Sequence, residues 1–243
     1  MAKEGVAEPV QPTRSAPLDT LLLDAGGVLV FPSWERVSRV MAVHGVAVGD
    51  DVLARAGARA MLELDRPVGE TTDASRAEDL FLQVLSHAGV ERSEACEAGL
   101  AELRDYHARH NLWERVPGDV EPFLARLKDA GIRLVLVSNA NGTVRRHFER
   151  LGLARYFHTL IDSHEEGVEK PDPRLFEIAL ERSGAAAGRA VHVGDLYHVD
   201  VLGARRAGID AWLYDPAGSH PDKECRRFGD LAGVGDAVLA ARG

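Results

Sequence analysis

The sequence predicts an α/β fold: a parallel sheet with helices on both faces, interrupted by an all-helical insert. Three observations lead there. Leu21-Leu22-Leu23, Leu134-Val135-Leu136-Val137 and Ala190-Val191-His192-Val193-Gly194 are short, almost unbroken apolar runs, as expected of strands buried on both faces. Each run ends in polar residues: Asp24, Ser138-Asn139 or Asp195. Helical patterns separate the runs, and strands alternating with helices pair in parallel. Parallel strands point the same way, so their polar ends gather at one sheet edge. Open α/β sheets bind their ligands at that edge.

Composition narrows the function classes. With 243 residues and a hydrophobic fraction of 45%, the chain can hold a sizeable core and a smaller module besides. A formal charge of −9 argues against a nucleic-acid partner. A small phosphorylated substrate could still enter a locally positive pocket. Cys96 and Cys225 suggest neither a disulfide framework nor a metal cluster, so a reducing, cytoplasmic setting is expected. No apolar run approaches the roughly 20 residues of a membrane span. Residues 1–17 are polar and proline-rich, lack the apolar stretch of a signal peptide, and are expected to form a disordered tail. Of 29 basic residues only Lys3, Lys128, Lys170 and Lys223 are lysine. A lysine in a constrained setting therefore points to a need for a compact charge.

After the first strand, Gly26-Gly27 permits a sharp turn and close approach to a ligand. Trp34, Val37, Val40, Met41 and His44 then fall at helical spacing, ended by Gly45. Val52 to Leu64, Leu80 to Ala88 and Cys96 to His107 continue as helices. No strand pattern occurs between Trp34 and Asn111, so residues 34–111 read as a small bundle with its own core. Trp34, Arg36, Asp65, Arg66 and Trp113 are its candidates for facing a pocket. Asp119 is an expected N-cap for a helix through Phe123, Leu124 and Leu127 to Gly131. Strand 132–137 follows. The polar loop Ser138 to Thr143 before the next helix could offer free N–H groups to an anion. A short strand is expected at Thr159-Leu160-Ile161. Pro171 holds Lys170 extended, and Asp172 with Pro173 starts another helix. Asp200 is expected to open the helix Val201 to Ala207. Ala211 to Tyr214 reads as the last strand and Leu231 to Ala241 as a terminal helix.

Asp24, Asp195 and Asp200 would bring several carboxylates to one edge, which is repulsive unless a cation or Lys170 compensates. Oxygen ligands of this kind suit Mg²⁺. Ser138, Asn139 and Lys170 suit phosphate oxygens. A carboxylate whose charge is partly offset can act as a nucleophile and form an aspartyl-phosphate, with the cation and Lys170 stabilising the transferring group. The histidines give no rival metal site. His107 and His110 lack a carboxylate pair, His192 reads as strand packing, and His198 is a candidate substrate or supporting contact.

At this point the chain resembles the haloacid dehalogenase (HAD) superfamily of phosphohydrolases, from about Leu18 to Ala241. All four motifs of that family occur in order: Leu21–Leu29 with Asp24, Val137-Ser138-Asn139, Glu169-Lys170-Pro171, and Gly194-Asp195 through Asp200. The resemblance implies a Rossmann-like core formed by residues 18–33 and 112–243, and a helical cap formed by residues 34–111. It implies Asp24 as nucleophile and metal ligand, the Gly26 carbonyl as a Mg²⁺ ligand, and Ser138 on phosphate with Asn139 beside it. Lys170 would hold both the phosphate and the nucleophile. Asp195 would be a metal ligand, and Asp200 a ligand or the group that orients Lys170. The expected partner is a small phosphorylated metabolite, a sugar phosphate or similar, and the expected assembly a monomer or homodimer, with no nucleic acid and no membrane.

Gly26 departs from the pattern. Most phosphatases of the family carry an Asp there as general acid and base, worth ~10²–10⁴ in rate. The Asp-x-Gly form resembles that of some sugar-phosphate phosphatases of the family that manage without it, and it also fits a substrate with a good leaving group, such as an anomeric sugar oxygen, or a weakly active or regulatory phosphate-binding module. Glu35 is the first candidate for a replacement acid. Gly194-Asp195 counts against dehalogenation, Gly26 against a mutase, and the absence of lysine between Trp34 and Asn111 against a phosphonate hydrolase.

Overall fold

In a computed structural model of the chain, residues 16–65 and 73–242 are described. Most of the expected tail, and Arg66, lie outside them. The first strand, β1 (Thr20–Leu23), leads through a Gly-Gly turn into the helical insert: α1 (Trp34–Val43), α2 (Asp50–Leu64), α3 (Asp73–His87) and α4 (Glu94–His110). The core resumes with α5 (Val120–Asp129), β2 (Arg133–Ser138), α6 (Val144–Arg150), β3 (Thr159–Asp162), α7 (Ser163–Glu166) and α8 (Pro173–Ser183). It closes with β4 (Ala190–Gly194), α9 (Leu202–Arg206), β5 (Asp210–Tyr214), β6 (Arg226–Phe228) and α10 (Leu231–Ala241).

The strands form one parallel sheet in the order β3-β2-β1-β4-β5-β6. The order reverses direction beside β1, so the ends of β1 and β4 flank the switch point where such sheets open a crevice. Leu23 pairs with Leu136 on one side and Val193 on the other, which sets the polar residues after each strand level with one another. Leu21 and Leu23 pack on the face covered by α5, α6 and α10, while Leu22 packs on the face covered by α8 and α9. All three are fully buried. Burial of each is worth about 1.5–3 kcal/mol relative to exposure, and this pins the strand that delivers Asp24.

The insert has its own core, with Val37, Met41, Leu53, Val84 and Leu103 buried among its helices. Its two connections to the sheet are bonded to each other. Phe31 N donates to the Arg115 carbonyl at 2.9 Å and Arg115 N to the Phe31 carbonyl at 3.0 Å. Glu114 ties the same seam, accepting from Arg36 Nε at 2.6 Å and Tyr106 Oη at 2.8 Å. Among the described residues no helix is long and apolar enough to cross a membrane.

Three local expectations need correction. Asp119 precedes α5, but its backbone is helical and its side chain makes no capping bond. Asp172 does cap its helix, accepting from Arg174 N at 3.0 Å with Pro173 next in line. The turn after β4 becomes helical earlier than Asp200: a π-helical turn, Tyr197–Val201, carries Asp200 inside it. β5 is not the last strand. β6 is a three-residue edge strand whose Arg226-Arg227-Phe228 sequence has no apolar run to reveal it.

Candidate active site

Four residues from four segments meet at the switch point. Lys170 Nζ donates to Asp24 Oδ1 and Asp200 Oδ1, each at 2.7 Å. Lys170 is almost wholly buried, at 1% exposure. The peptide bond between Lys170 and Pro171 is cis. The Asn139 side chain holds the Lys170 backbone from both sides: Oδ1 accepts the Lys170 N–H at 2.8 Å, and Nδ2 donates to the Lys170 carbonyl at 3.0 Å. Asn139 was expected beside phosphate, yet its amide is engaged in positioning the lysine. Ser138 ends β2 and lines the same cavity.

Both oxygens of Asp200 are partnered. Besides Lys170 it accepts from His192 Nε2 at 3.0 Å and, through Oδ2, from Leu196 N at 3.1 Å. His192, expected only to pack, therefore supports Asp200 from within β4. The signal available in sequence was an imidazole in an otherwise apolar strand, eight residues before an Asp. Burial holds the His192 pKa below its ordinary value despite Asp200, which keeps the ring neutral. Asp195 is different. Its Oδ1 is buried and has no hydrogen-bond partner.

The electrostatics follow from burial. Burial lifts the Asp24 pKa to about 6; Asp200 adds to the lift and Lys170 opposes it. Burial and the charges of Asp24 and Asp200 push Asp195 well above the ordinary carboxylate range. Burial pushes Asp200 up as well, but Lys170 and His192 outweigh it and hold its pKa far below the usual range. Burial would lower the Lys170 pKa, but Asp200 and Asp24 outweigh it and keep the ammonium charged.

One oxygen from each of Asp24, Asp195 and Asp200 lies within 4.8 Å of the others. Three carboxylates against one ammonium leave an excess of negative charge, and one buried oxygen has no donor. This donor set fits a small hard divalent cation, which takes carboxylate oxygens and offsets charge. Gly27 is shaped by the same cluster. Its φ is +75°, and a Cβ there would lie 2.0 Å from Asp195 Oδ2, so only glycine fits.

The polar loop after β2 is less open than expected. Ser163 Oγ accepts the Ala140 N–H at 3.0 Å, and Asp162 Oδ2 accepts the Val144 N–H at 3.2 Å, so the start of α6 is already capped. The pocket-facing candidates of the insert divide. Trp113 lines the cavity. Trp34 packs edge-on against Phe81, with ring centroids 6.2 Å apart, and Arg36 pairs with Glu114. Asp65 reaches across to the core instead. Its carboxylate accepts Tyr197 N and His198 N, each at 2.9 Å, along with His198 Nδ1 at 3.1 Å and His220 Nε2 at 2.9 Å. It thus caps the turn that carries Asp200, and His198 serves this clamp. Glu35 pairs with Arg39 on the exposed face of α1 and does not line the cavity.

Residues 18–208 match the family described as haloacid dehalogenase-like hydrolase. A phosphoserine phosphatase from Thermus thermophilus is 37% identical over 163 residues, covering 65% of this chain but only 63% of that relative's length. The fold matches an HAD phosphatase from Thermococcus onnurineus with a TM-score of 0.62 at 22% identity, over 93% of this chain and all of the other. It also matches a 2-haloacid dehalogenase from Pseudomonas syringae pv. Tomato, with a TM-score of 0.57 at 27% identity, over 92% and 98% of the two chains. The buried Asp-Lys-Asp arrangement thus sits on a Rossmann-like core with a helical cap, and the chain belongs to the haloacid dehalogenase-like hydrolase family.

Proposed function

We propose that this chain is a Mg²⁺-dependent phosphatase that hydrolyses a small phosphomonoester through an aspartyl-phosphate on Asp24. The observation that carries this reading is Lys170, buried and bonded at 2.7 Å to both Asp24 and Asp200, beside the unpartnered Asp195 oxygen. Lys170 holds Asp24 in position and presents a fixed positive charge where phosphate oxygens arrive. Asp24 attacks phosphorus, and Ser138 hydrogen-bonds the phosphoryl group. Asn139 keeps Lys170 in register. Asp24, the Gly26 carbonyl and Asp195 would hold the cation. Asp200, its oxygens already occupied by Lys170, His192 and the Leu196 amide, acts chiefly to orient Lys170. When bound, the cation supplies charge compensation and Lewis acidity at the phosphoryl oxygens. The unpaired Cys96 and Cys225 are in keeping with a reducing, cytoplasmic setting.

The likeness to a dehalogenase raises a rival chemistry. The Gly194-Asp195 form of the fourth motif counts against that reading. A second reading, a weakly active phosphate-binding module, draws on Gly26, where the usual acid is missing.

The test is release of inorganic phosphate from a panel of phosphomonoesters, with Mg²⁺ and with chelator. Turnover that requires Mg²⁺ and falls about 10⁴-fold or more in Asp24→Asn is expected. Turnover that survives Asp24→Asn would remove the nucleophile. Phosphate binding with no turnover of any ester would favour the second reading.

A further inference from the structure

We infer that the substrate's leaving group is an apolar, weakly basic hydroxyl, making the substrate an aryl phosphate monoester. This rests on the phosphatase reading above and narrows it. The first support is the wall of the cavity. A space of about 460 Å³ lies against Asp24 and Asp195, the size of a small-molecule site. The helical insert lines it with Met61, Leu80, Phe81, Leu100 and Leu103, which offer a hydroxyl nothing beyond the weak sulfur acceptor of Met61. A sugar or serine hydroxyl placed against that wall would lose water without replacement, which is unfavourable. The insert's polar contributions are few. Arg104 lines the cavity from an exposed position, and His107 Nδ1 already accepts the Leu112 N–H at 3.2 Å. The Asn111 Oδ1 accepts the Trp113 N–H at 3.0 Å.

The second support is independent and concerns the proton. A Cβ at Gly26 would lie 3.2 Å and 3.3 Å from two carbons of the Trp113 ring. The indole therefore covers the place where an acid side chain would begin. Among the described residues, no carboxylate of the insert lines the cavity. His147 lines it, but Nε2 donates to the Trp113 carbonyl at 2.9 Å and Nδ1 accepts from Arg150 at 3.3 Å. An alkyl oxygen leaves as an anion about as basic as hydroxide, whose conjugate acid has a pKa of about 15.7. A phenol-type oxygen leaves with a pKa near ~10 and does not need a protein acid.

The bonds balance without one. An Asp24 oxygen attacks phosphorus, the bond from phosphorus to the aryl oxygen breaks, and the aryloxide departs with the electron pair and takes a proton from bulk water. Water then attacks the aspartyl-phosphate, and the bond from phosphorus to the Asp24 oxygen breaks. The carboxylate is restored, and the protons of the attacking water leave with the phosphate.

The experiment compares kcat/KM of the full chain with Mg²⁺ for 1-naphthyl phosphate, phenyl phosphate, glucose 1-phosphate, glucose 6-phosphate and phosphoserine. Phenyl phosphate is expected to exceed glucose 6-phosphate and phosphoserine by about 10²-fold or more. Naphthyl phosphate, with a leaving group of similar basicity, is expected to exceed phenyl phosphate by about 10-fold through the apolar wall. Met61→Gln and, separately, Phe81→Ser should shrink that naphthyl-to-phenyl ratio toward one. Glucose 1-phosphate ahead of both aryl esters would overturn the apolar half of the inference. Phosphoserine or glucose 6-phosphate matching phenyl phosphate would overturn the leaving-group half, above all if His107→Ala, or His164→Ala at another imidazole lining the cavity, abolished it. In either case the phosphatase reading survives. Failure to hydrolyse any ester, 4-nitrophenyl phosphate included, would bring down the phosphatase reading and the inference with it.

Discussion

Two buried acidic clusters flank the segment from Gly194 to Val201, and they differ in one respect. Around Asp65, both carboxylate oxygens are satisfied, by two backbone amides and two imidazoles. Among Asp24, Asp195 and Asp200, Lys170 bonds only the first and the last, and Asp195 Oδ1 has no partner. The first cluster is a structural clamp and the second a candidate site. The difference lies in the carboxylate oxygens, since His220 Nδ1 beside Asp65 is also unpartnered: native interiors pair nearly all their buried polar groups, and an anionic oxygen left without a donor calls for a cation or a reaction. Charge alone does not separate the two.

The largest test of this contrast removes the cation the deficient cluster has. Lys170→Met keeps the apolar stem but leaves Asp24 and Asp200 without their ammonium. Breaking a buried pair from one side costs about 3–5 kcal/mol. The urea midpoint of the variant should fall accordingly. A midpoint close to the parent's would mean that the carboxylates are already solvated or neutral.

A second test supplies the missing charge. Mg²⁺ at a hundredfold excess over its dissociation constant should stabilise the protein by about 2.7 kcal/mol. Asp195→Asn should abolish most of that gain and, without metal, should be more stable than the parent, because it removes a like charge from a crowded cluster. Thermal unfolding with Mg²⁺ and with chelator reads both effects. A metal-free variant less stable than the parent would contradict the assignment of Asp195 as the unsatisfied group.

The saturated cluster should respond differently. Asp65→Ala leaves the Tyr197 and His198 amides without acceptors and should cost about 1–3 kcal/mol, with no gain on adding or removing Mg²⁺ beyond the parent's. Since Asp65 belongs to the insert and the amides to the core, limited proteolysis should also cleave the seam faster. A fully stable Asp65→Ala would show that water replaces the clamp without loss.

The contrast also marks what the sequence makes legible. The strands around Asp24 and Asp195 are readable because burial on both faces demands uninterrupted apolar runs. Lys170 is readable because it is a rare lysine held before a proline. These features are local. The partners of these residues are not. Asp65 lies 132 positions before Tyr197, and no local pattern links a carboxylate after one helix to an amide in a distant turn. Trp113 is visible as a tryptophan, but its position over Gly26 depends on how the insert returns to the core. Asn139 looks like a phosphate ligand because amides suit phosphate, yet its fork matches the Lys170 backbone equally well. Asp119 looks like an N-cap by residue type, but its backbone is helical rather than extended, so its side chain does not reach back to the amides. The sheet edge and its charged residues were therefore predictable, whereas the shells that hold them required coordinates.

The smallest expected effect carries the same rule to a base. His147 sits at the opposite seam with both ring nitrogens engaged in the neutral form. Burial holds its pKa below the ordinary 6.5; Arg150 and His107 push the same way, while the Trp113 carbonyl and Glu114 oppose. The unfolded chain therefore takes up a proton near pH 6.5 that the folded chain refuses, and linkage makes stability fall as pH drops through that range. Above pH 6.5 the ring is neutral in both states and contributes no pH dependence. His147→Gln can keep the bond to the Trp113 carbonyl and cannot titrate, so its denaturation midpoint should vary less than the parent's between pH 7 and pH 5. Parallel curves for the two proteins would mean that His147 accepts its proton in place. The seam would then be wetter than its hydrogen bonds imply, and the separation of saturated clamps from deficient sites would not extend to imidazoles.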